Sequence, residues 1–219
     1  MATRLDHVVI AAATLEQGVE YVRNTLGVDV PPGGEHPLMG THNHLMNLGD
    51  EVFLEIVSTN PDAKPPERPR WFALDDPAVF SSLVSQPRLL TWVVNTDDLV
   101  SLQASTRHRL GDVTPVSRGN LNWLFAIPTD GALRAGGVLP YAMQWQTEPH
   151  PALAMTNLGC RLLSLTVFHP YAAWLKVMLT AMGAEGLVAV EPLNANELPY
   201  LSAAIETPTG LVDLDSRLA

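Results

Sequence analysis

The chain has 219 residues, 47% of them hydrophobic and 16% charged, with 23 acidic against 13 basic side chains and a formal net charge of -10. This supplies core for one large domain or two small ones and excludes extensive disorder. The acidic balance argues against a nucleic-acid partner, which needs a basic surface. Cys160 is the sole cysteine, so no intramolecular disulfide forms, and a buried packing role in a reducing compartment is expected. Met1-Ala2-Thr3-Arg4 runs into the first apolar stretch without a leader pattern, and no run approaches the ~20 apolar residues of a membrane span. The cytoplasm is the expected location, with no membrane partner.

The same pattern recurs three times. Leu5-Asp6-His7-Val8-Val9-Ile10 reads as a strand, and Thr14 with Gln17 three residues on opens a helix. Leu15, Val19, Val22 and Leu26 form that helix's buried stripe, and Gly27 stops it. Val28-Asp29-Val30 predicts a short strand cut by Pro31-Pro32-Gly33-Gly34. Thr41 to Leu48 and Val52 to Val57 predict a hairpin around Gly49-Asp50. Asn60 to Pro77 carries five prolines and reads as an extended surface linker pinned by Trp71-Phe72.

The second copy starts near Leu89 with Leu89-Leu90-Thr91-Trp92-Val93-Val94. A helix from Asp98 to Leu110 follows, then strands at Val113 to Ser117, Leu121 to Ile127 and Val138 to Trp145. The third runs from Arg161, with a helix from about Pro170 whose stripe is Trp174, Val177, Met178 and Ala181. Strands near Leu187 to Val190, Tyr200 to Glu206 and Leu211 to Leu214 complete it. The expected organisation is a βαβββ unit over 1–58, a proline-rich linker over 59–88, a second unit over 89–150 and a more divergent third over 160–216. This is an α+β fold of repeated units. Each unit leaves one sheet face open, so units pair across those faces, and a third either packs alongside or completes a cup with another chain.

A concave sheet face is a natural ligand pocket. His7 sits in an apolar strand, and Glu55 sits within Val52-Phe53-Leu54-Glu55-Ile56-Val57, where a carboxylate is costly unless paired, protonated or metal-bound. If Gly49-Asp50 is a two-residue loop, His44 lies opposite Glu55 on the same face. His7, His44 and Glu55 then form a two-histidine, one-carboxylate set suited to zinc, iron, manganese or nickel. The plain alternatives are a hydrogen-bonded core histidine, a salt bridge at Glu55, and edge-strand polar roles for His42 and His44. Aligning Leu15 with Leu99 sets His7 against Thr91, a poor ligand. Aligning the closing strands sets Leu54-Glu55 against Met143-Gln144, so Gln144 is a neutral ligand or a substrate partner.

Leu5-Asp6-His7-Val8-Val9-Ile10 before a capped helix, Leu26-Gly27-Val28, Gly40-Thr41-His42-Asn43, Leu48-Gly49-Asp50, Leu54-Glu55-Ile56, Leu139-Pro140-Tyr141, Gln144-Trp145 and His150-Pro151 together resemble the glyoxalase-like proteins of the vicinal oxygen chelate superfamily. The resemblance covers the first two units well and the third loosely. It implies βαβββ units whose curved mixed sheets pair into a cup, as in the glyoxalase, bleomycin-resistance and dihydroxybiphenyl dioxygenase fold. It implies a divalent metal at the first and last strands of a unit, where His7 and Glu55 stand, and a homodimer. A metal-dependent lyase, isomerase or dioxygenase acting on a small oxygenated metabolite is the leading expectation. His7, His44 and Glu55 would hold metal, with Glu55 or His44 moving a proton. Asn43, Thr91, Gln144, Trp92, Trp123 and Trp145 would contact substrate. Thr91 and Gln144 depart from the metalloenzyme pattern, and the alternative is a metal-free protein that sequesters a small molecule on its tryptophans.

Overall fold

The computed structural model describes residues 2–106 and 110–217. The first run is β1 (Thr3–Ala11), and the Thr14 hydroxyl caps α1 (Leu15–Leu26) by accepting from the Gln17 N–H. The next strand begins after the prolines rather than before them: β2 is Pro32–His36, and Val28 to Val30 is not strand. An edge strand tolerates proline at its first residue, where no ladder N–H is needed. β3 (Thr41–Asn47) and β4 (Phe53–Thr59) complete the first unit.

The stretch read as linker is less bare than its prolines suggest. Trp71 and Phe72 sit in a short 3-10 turn and are buried. α2 (Pro77–Ser85) follows, its Asp76 carboxylate accepting from the N–H groups of Ala78 and Val79. Pro77 supports this helix instead of breaking it, because the first helical N–H is unpaired anyway. β5 (Arg88–Thr96) opens the second unit, and Asp98 caps α3 (Leu99–Ser105). The expected extension of α3 to Leu110 falls partly on residues 107–109, outside the described residues. At Thr106 the backbone is already extended. β6 (Asp112–Arg118), β7 (Leu121–Ile127) and β8 (Tyr141–Trp145) close the unit.

β9 (Arg161–His169), α4 (Ala172–Ala181), β10 (Ala189–Pro192), β11 (Tyr200–Thr207) and β12 (Gly210–Asp215) follow. The buried stripe of α4 is Leu175, Met178 and Leu179, whereas Trp174 is 41% and Val177 66% exposed. The predicted stripe was therefore rotated, with only Met178 shared.

β1 pairs parallel with β4 and antiparallel with β5, which pairs parallel with β8. The result is one eight-stranded sheet in the order β2-β3-β4-β1-β5-β8-β7-β6. It curls until its edge strands β2 and β6 come into contact. Its concave face carries Val9, Val57, Val93, Phe125 and Met143, joined by Trp71 and Phe72. Its other face buries Val8, Ile10, Trp92 and Val94 against the helices and against Val167, Leu201, Ala203 and Ile205 of the third repeat. That repeat keeps the element order but not the pairing. In its four-stranded sheet, β10-β9-β11-β12, the second strand rather than the last lies parallel to the first. Cys160 is a buried free thiol. Among the described residues no helix is long and apolar enough to cross a membrane.

Candidate active site in the cup

A one-residue irregularity in β1 creates the site. The β1–β5 register steps from Leu5 opposite Val94 to His7 opposite Val93, leaving Asp6 without a partner. Such a bulge re-aims the side chains on either side of it. Leu5 packs into the helix-side core, whereas His7 and Val9 face the cup. Asp6 is fully buried. Its Oδ1 accepts from His7 Nδ1 at 2.5 Å, and its Oδ2 from Trp145 Nε1 at 2.8 Å and His150 Nε2 at 3.0 Å. His150 Nδ1 in turn accepts from the Ala152 N–H, which fixes the proton on Nε2. Burial alone would push the Asp6 carboxyl up. The hydrogen bonds from His150 and His7, with the charge the His7 ring can carry, outweigh it and hold the group below the ordinary aspartate value. With Nδ1 committed to Asp6, His7 presents Nε2 to Glu55, 3.6 Å from Oε2. The His7 ring stacks on Phe53, 4.4 Å between centroids.

The β3–β4 hairpin corrects one expectation. Leu48 donates to the Val52 carbonyl, so the loop is the three residues 49–51, with Gly49 and Asp50 at positive φ. The added residue shifts the register by one: Leu45 lies opposite Glu55, and His44 opposite Ile56. His44 therefore points away from the cup and gives its Nδ1 hydrogen to the Val30 carbonyl at 2.6 Å. It stands near neither His7 nor Glu55. Asn43 takes the place expected of His44. Its Nδ2 donates to Glu55 Oε1 at 2.6 Å, and its Oδ1 accepts from the Gly34 N–H and from Arg118 Nη1, each at 3.0 Å. Gly33 makes room for this amide, since a Cβ there would come within 2.3 Å of Asn43 Oδ1.

His7, Asn43 and Glu55 line one cavity with Trp123 and Trp145, about 430 Å³ counted to its open mouth. Trp71, Phe72, Phe125, His36 and Arg118 complete much of the wall. His36 is 4% exposed, shares a hydrogen with Thr41 Oγ1 at 3.0 Å, and meets Trp71 and Trp123 edge-on. Burial, reinforced by the charges of Arg118, His7 and His42, lowers its pKa to about 3, so it is a neutral imidazole.

The remaining expected contacts lie elsewhere. Thr91 Oγ1 donates to the Gly137 carbonyl and is fully buried. Trp92 belongs to the opposite, helix-side core and donates Nε1–H to the Val138 carbonyl. Gln144 accepts from the Leu99 N–H, so its side chain serves the start of α3. The alignment of closing strands was off by three. Val9 pairs with both Thr91 and Glu55, and Val93 pairs with both His7 and Tyr141. Under the pseudo-twofold relating the units, Thr91 thus matches His7, while Tyr141 matches Glu55. The Tyr141 hydroxyl donates to the Ala132 carbonyl and accepts from the Phe72 N–H. The second half-site is filled by the segment between the units.

Four residues of this site escaped the sequence reading, and two carried a legible sign. Asp6 is an acid inside an apolar run, the same oddity that singled out Glu55. Arg118 shares the alternation of Val116, whose face is the cup. Neither His36 nor the position of His150 beside Asp6 had a local signature.

A divalent metal at His7 and Glu55 does not fit the donors present. Among the described residues no three His, Cys, Asp or Glu side chains are grouped so that they could hold a metal ion: Asp6 and His150 meet His7 at its Nδ1 side and bond to one another. The Asn43 oxygen already accepts two hydrogens, and the Arg118 guanidinium stands beside it. Two protein ligands fall short of the three or four that hold zinc. Zinc, manganese, nickel or iron(II) added to chelator-treated protein should therefore leave Tm within about 2 °C in a thermal melt. An ion held at a hundred times its Kd would add about 2.7 kcal/mol, roughly 5–11 °C for a chain of this size. A rise of that order would show that a further ligand had been missed.

A model of the glyoxalase-like domain family matches residues 5–182. Among curated proteins no relative matches. The crystal structure of a hypothetical protein from Staphylococcus aureus shares the fold at a TM-score of 0.57 and 12% identity, covering 98% of this chain and 85% of that one. Weaker overlays include a multiply substituted 4-hydroxymandelate synthase from Streptomyces coelicolor, with TM-score 0.49, 14% identity, and 98% and 62% of the two chains covered. Methylmalonyl-CoA epimerase from Mycobacterium tuberculosis gives 0.40 and 22%, over 68% of this chain and 91% of its own. With most of its length matched by one family and two of its repeats folded into the expected cup, the chain belongs to the glyoxalase-like domain family of the vicinal oxygen chelate superfamily.

Proposed function

We propose that the cup moves a proton at a carbon next to a carbonyl in a small metabolite, the chemistry of an isomerase or lyase, with Glu55 and His7 as the acid–base pair. One observation carries the reading. Two titratable groups face each other at 3.6 Å in a cavity, each oriented by a buried partner, Asp6 for His7 and Asn43 for Glu55. A separation just beyond hydrogen-bond length leaves the pair free to engage a guest.

The step is balanced without a further reactant. The Glu55 carboxylate takes the C–H proton, and the carbonyl oxygen gains charge as the C–H pair becomes the new C=C bond. His7, as imidazolium, donates Nε2–H to that oxygen and gives an enol. The Asp6 carboxylate stabilises the imidazolium through Nδ1–H. With a 2-hydroxy ketone the enol is an enediol, and Glu55 returns its proton to the former carbonyl carbon while the other enediol hydroxyl gives its hydrogen to His7 Nε2 and becomes the new carbonyl, which completes an isomerisation and restores both side chains.

The test is solvent exchange. Wild-type protein incubated in D2O with 2-keto acids, arylpyruvates and 2-hydroxy ketones should place deuterium beside the carbonyl, read by proton NMR. Glu55→Gln and His7→Gln should each lower that rate by roughly 10²-fold or more. The aromatic lining favours a second reading, sequestration of a ligand without turnover. Tight binding with no exchange in any compound would sink the acid–base reading and leave sequestration.

A further inference from the structure

We infer that the ligand of the cup is a flat aromatic or conjugated monocarboxylate, with its carboxylate on Arg118 and a second acceptor atom on the indole N–H of Trp71. This deepens the acid–base reading by naming the guest, but it rests only on how the cavity binds.

Three features of the wall point the same way. The first is a cation without a counter-ion. Arg118 reaches from β6 across the seam to β3, and the one hydrogen bond it makes among the described residues goes to the neutral amide of Asn43. Among the described residues no carboxylate lies within ion-pair distance of it. Burial pulls the guanidinium below the ordinary arginine range, with the charge of Glu55 opposing in part. The Asn43 amide stands between the guanidinium and Glu55, bonded to both. Desolvation without pairing is costly, and a carboxylate matches the guanidinium fork bidentately.

The second feature is an unpaired donor. Trp71 lines the cavity at 3% exposure, and its buried Nε1–H meets no acceptor among the described residues. Native interiors rarely leave such a group unmatched. The indole of Trp145, by comparison, is satisfied by Asp6. An acceptor supplied by a guest would complete Trp71.

The third is the shape and charge of what remains. Trp71, Trp123, Phe125 and Phe72 give the wall flat apolar faces. Rings of this kind favour offset-stacked or edge-on aromatic partners. His36 is neutral, and the His7 imidazolium of the acid–base step is already matched by Asp6, so Arg118 is the cation left for a guest, while Glu55 adds an anion. One guanidinium facing one carboxylate suits a monoanion, and a phosphate dianion would meet repulsion from Glu55.

Quenching of tryptophan fluorescence measures this directly on the full chain. The probes are phenylacetate and cinnamate, their primary amides, inorganic phosphate, and an aliphatic acid, hexanoate. The aromatic acids should bind at least roughly ten-fold tighter than their amides, the worth of a charge-assisted hydrogen bond. Arg118→Met, which keeps the stem, should abolish that acid-over-amide ratio, and Arg118→Lys should restore part of it. Trp71→Phe should weaken the aromatic acids roughly five-fold while leaving the ratio intact. Melting curves of each variant confirm that it is folded. Equal binding of acid and amide, a ratio unchanged in Arg118→Met, stronger binding of phosphate or hexanoate, or no binding by any probe would each overturn the inference. Aromatic acids that bind without deuterium exchange would fail the acid–base reading alone. Exchange confined to uncharged or aliphatic compounds would fail this inference alone.

Discussion

Asp6→Asn should cost about 3 kcal/mol of stability, a fall in Tm of roughly 6–12 °C. It should also remove most of any proton-transfer activity. The aspartate accepts three hydrogens on two oxygens, from His7, Trp145 and His150. An asparagine offers one accepting oxygen, and its NH₂ must then face an N–H. If the oxygen stays with Trp145 and His150, His7 turns to its other tautomer and no longer offers the imidazolium that Asp6 supports. In a comparable histidine–aspartate pair that change costs ~10⁴-fold. The acid limb of the stability profile provides a second check. The Asp6 pKa is depressed on folding, so its contribution is fully present above the unfolded value of about 3.9 and is lost as pH falls through the folded one. The variant should lack that component. Equal Tm values in wild type and variant at pH 7 would remove Asp6 from this role.

His36 gives the second large effect, with the sign usual for a histidine buried neutral. Its pKa is about 3 in the folded chain against about 6.5 for a free histidine, so between those values the unfolded chain binds up to one more proton. Stability then rises with pH across that window and is lost on acidification. From pH 6.5 to 4.5 the loss assigned to this one ring is about 2.3 kcal/mol, roughly 5–9 °C in Tm. His36→Gln, which cannot titrate, should flatten the profile by that amount in melts across the range. The neighbours Arg118, His7 and His42 bear on the ring, so Arg118→Met should raise its pKa and shallow the same slope by a smaller margin. A variant profile parallel to wild type would mean that His36 is protonated where it sits.

The apolar run of β1 and the capped helix after it were legible because each rests on neighbours in sequence. Thr14, Gly27 and Asp98 act within a few residues of themselves, and the structure uses them as read. The hairpin misled by a single residue. Gly49-Asp50 suggests a two-residue loop, yet Glu51 joins it, and one added residue exchanged His44 for Asn43 in the cup. The matching of Gln144 to Glu55 failed for a related reason, since sequence similarity between closing strands does not encode which residue faces β5. Arg118 meets Asn43 only because β2 and β6 are drawn together by sheet curvature, a contact spanning 75 residues. Side chains that converge from distant strands follow from register and curvature, and neither is written locally. Proline-rich composition concealed α2, where Asp76 and Pro77 together make a good helix start.

Consider finally the unequal halves of the cup. Tyr141 and Phe72 occupy the place that mirrors Glu55 and its surroundings, and the Tyr141 hydroxyl is spent on backbone groups, so the acid–base pair stands on one side of the hollow. A flat guest anchored at one end then meets these groups from a single direction. Any hydrogen it trades with solvent should leave and arrive on one prochiral face, making the product a single enantiomer even though the scaffold is built from two near-equivalent parts.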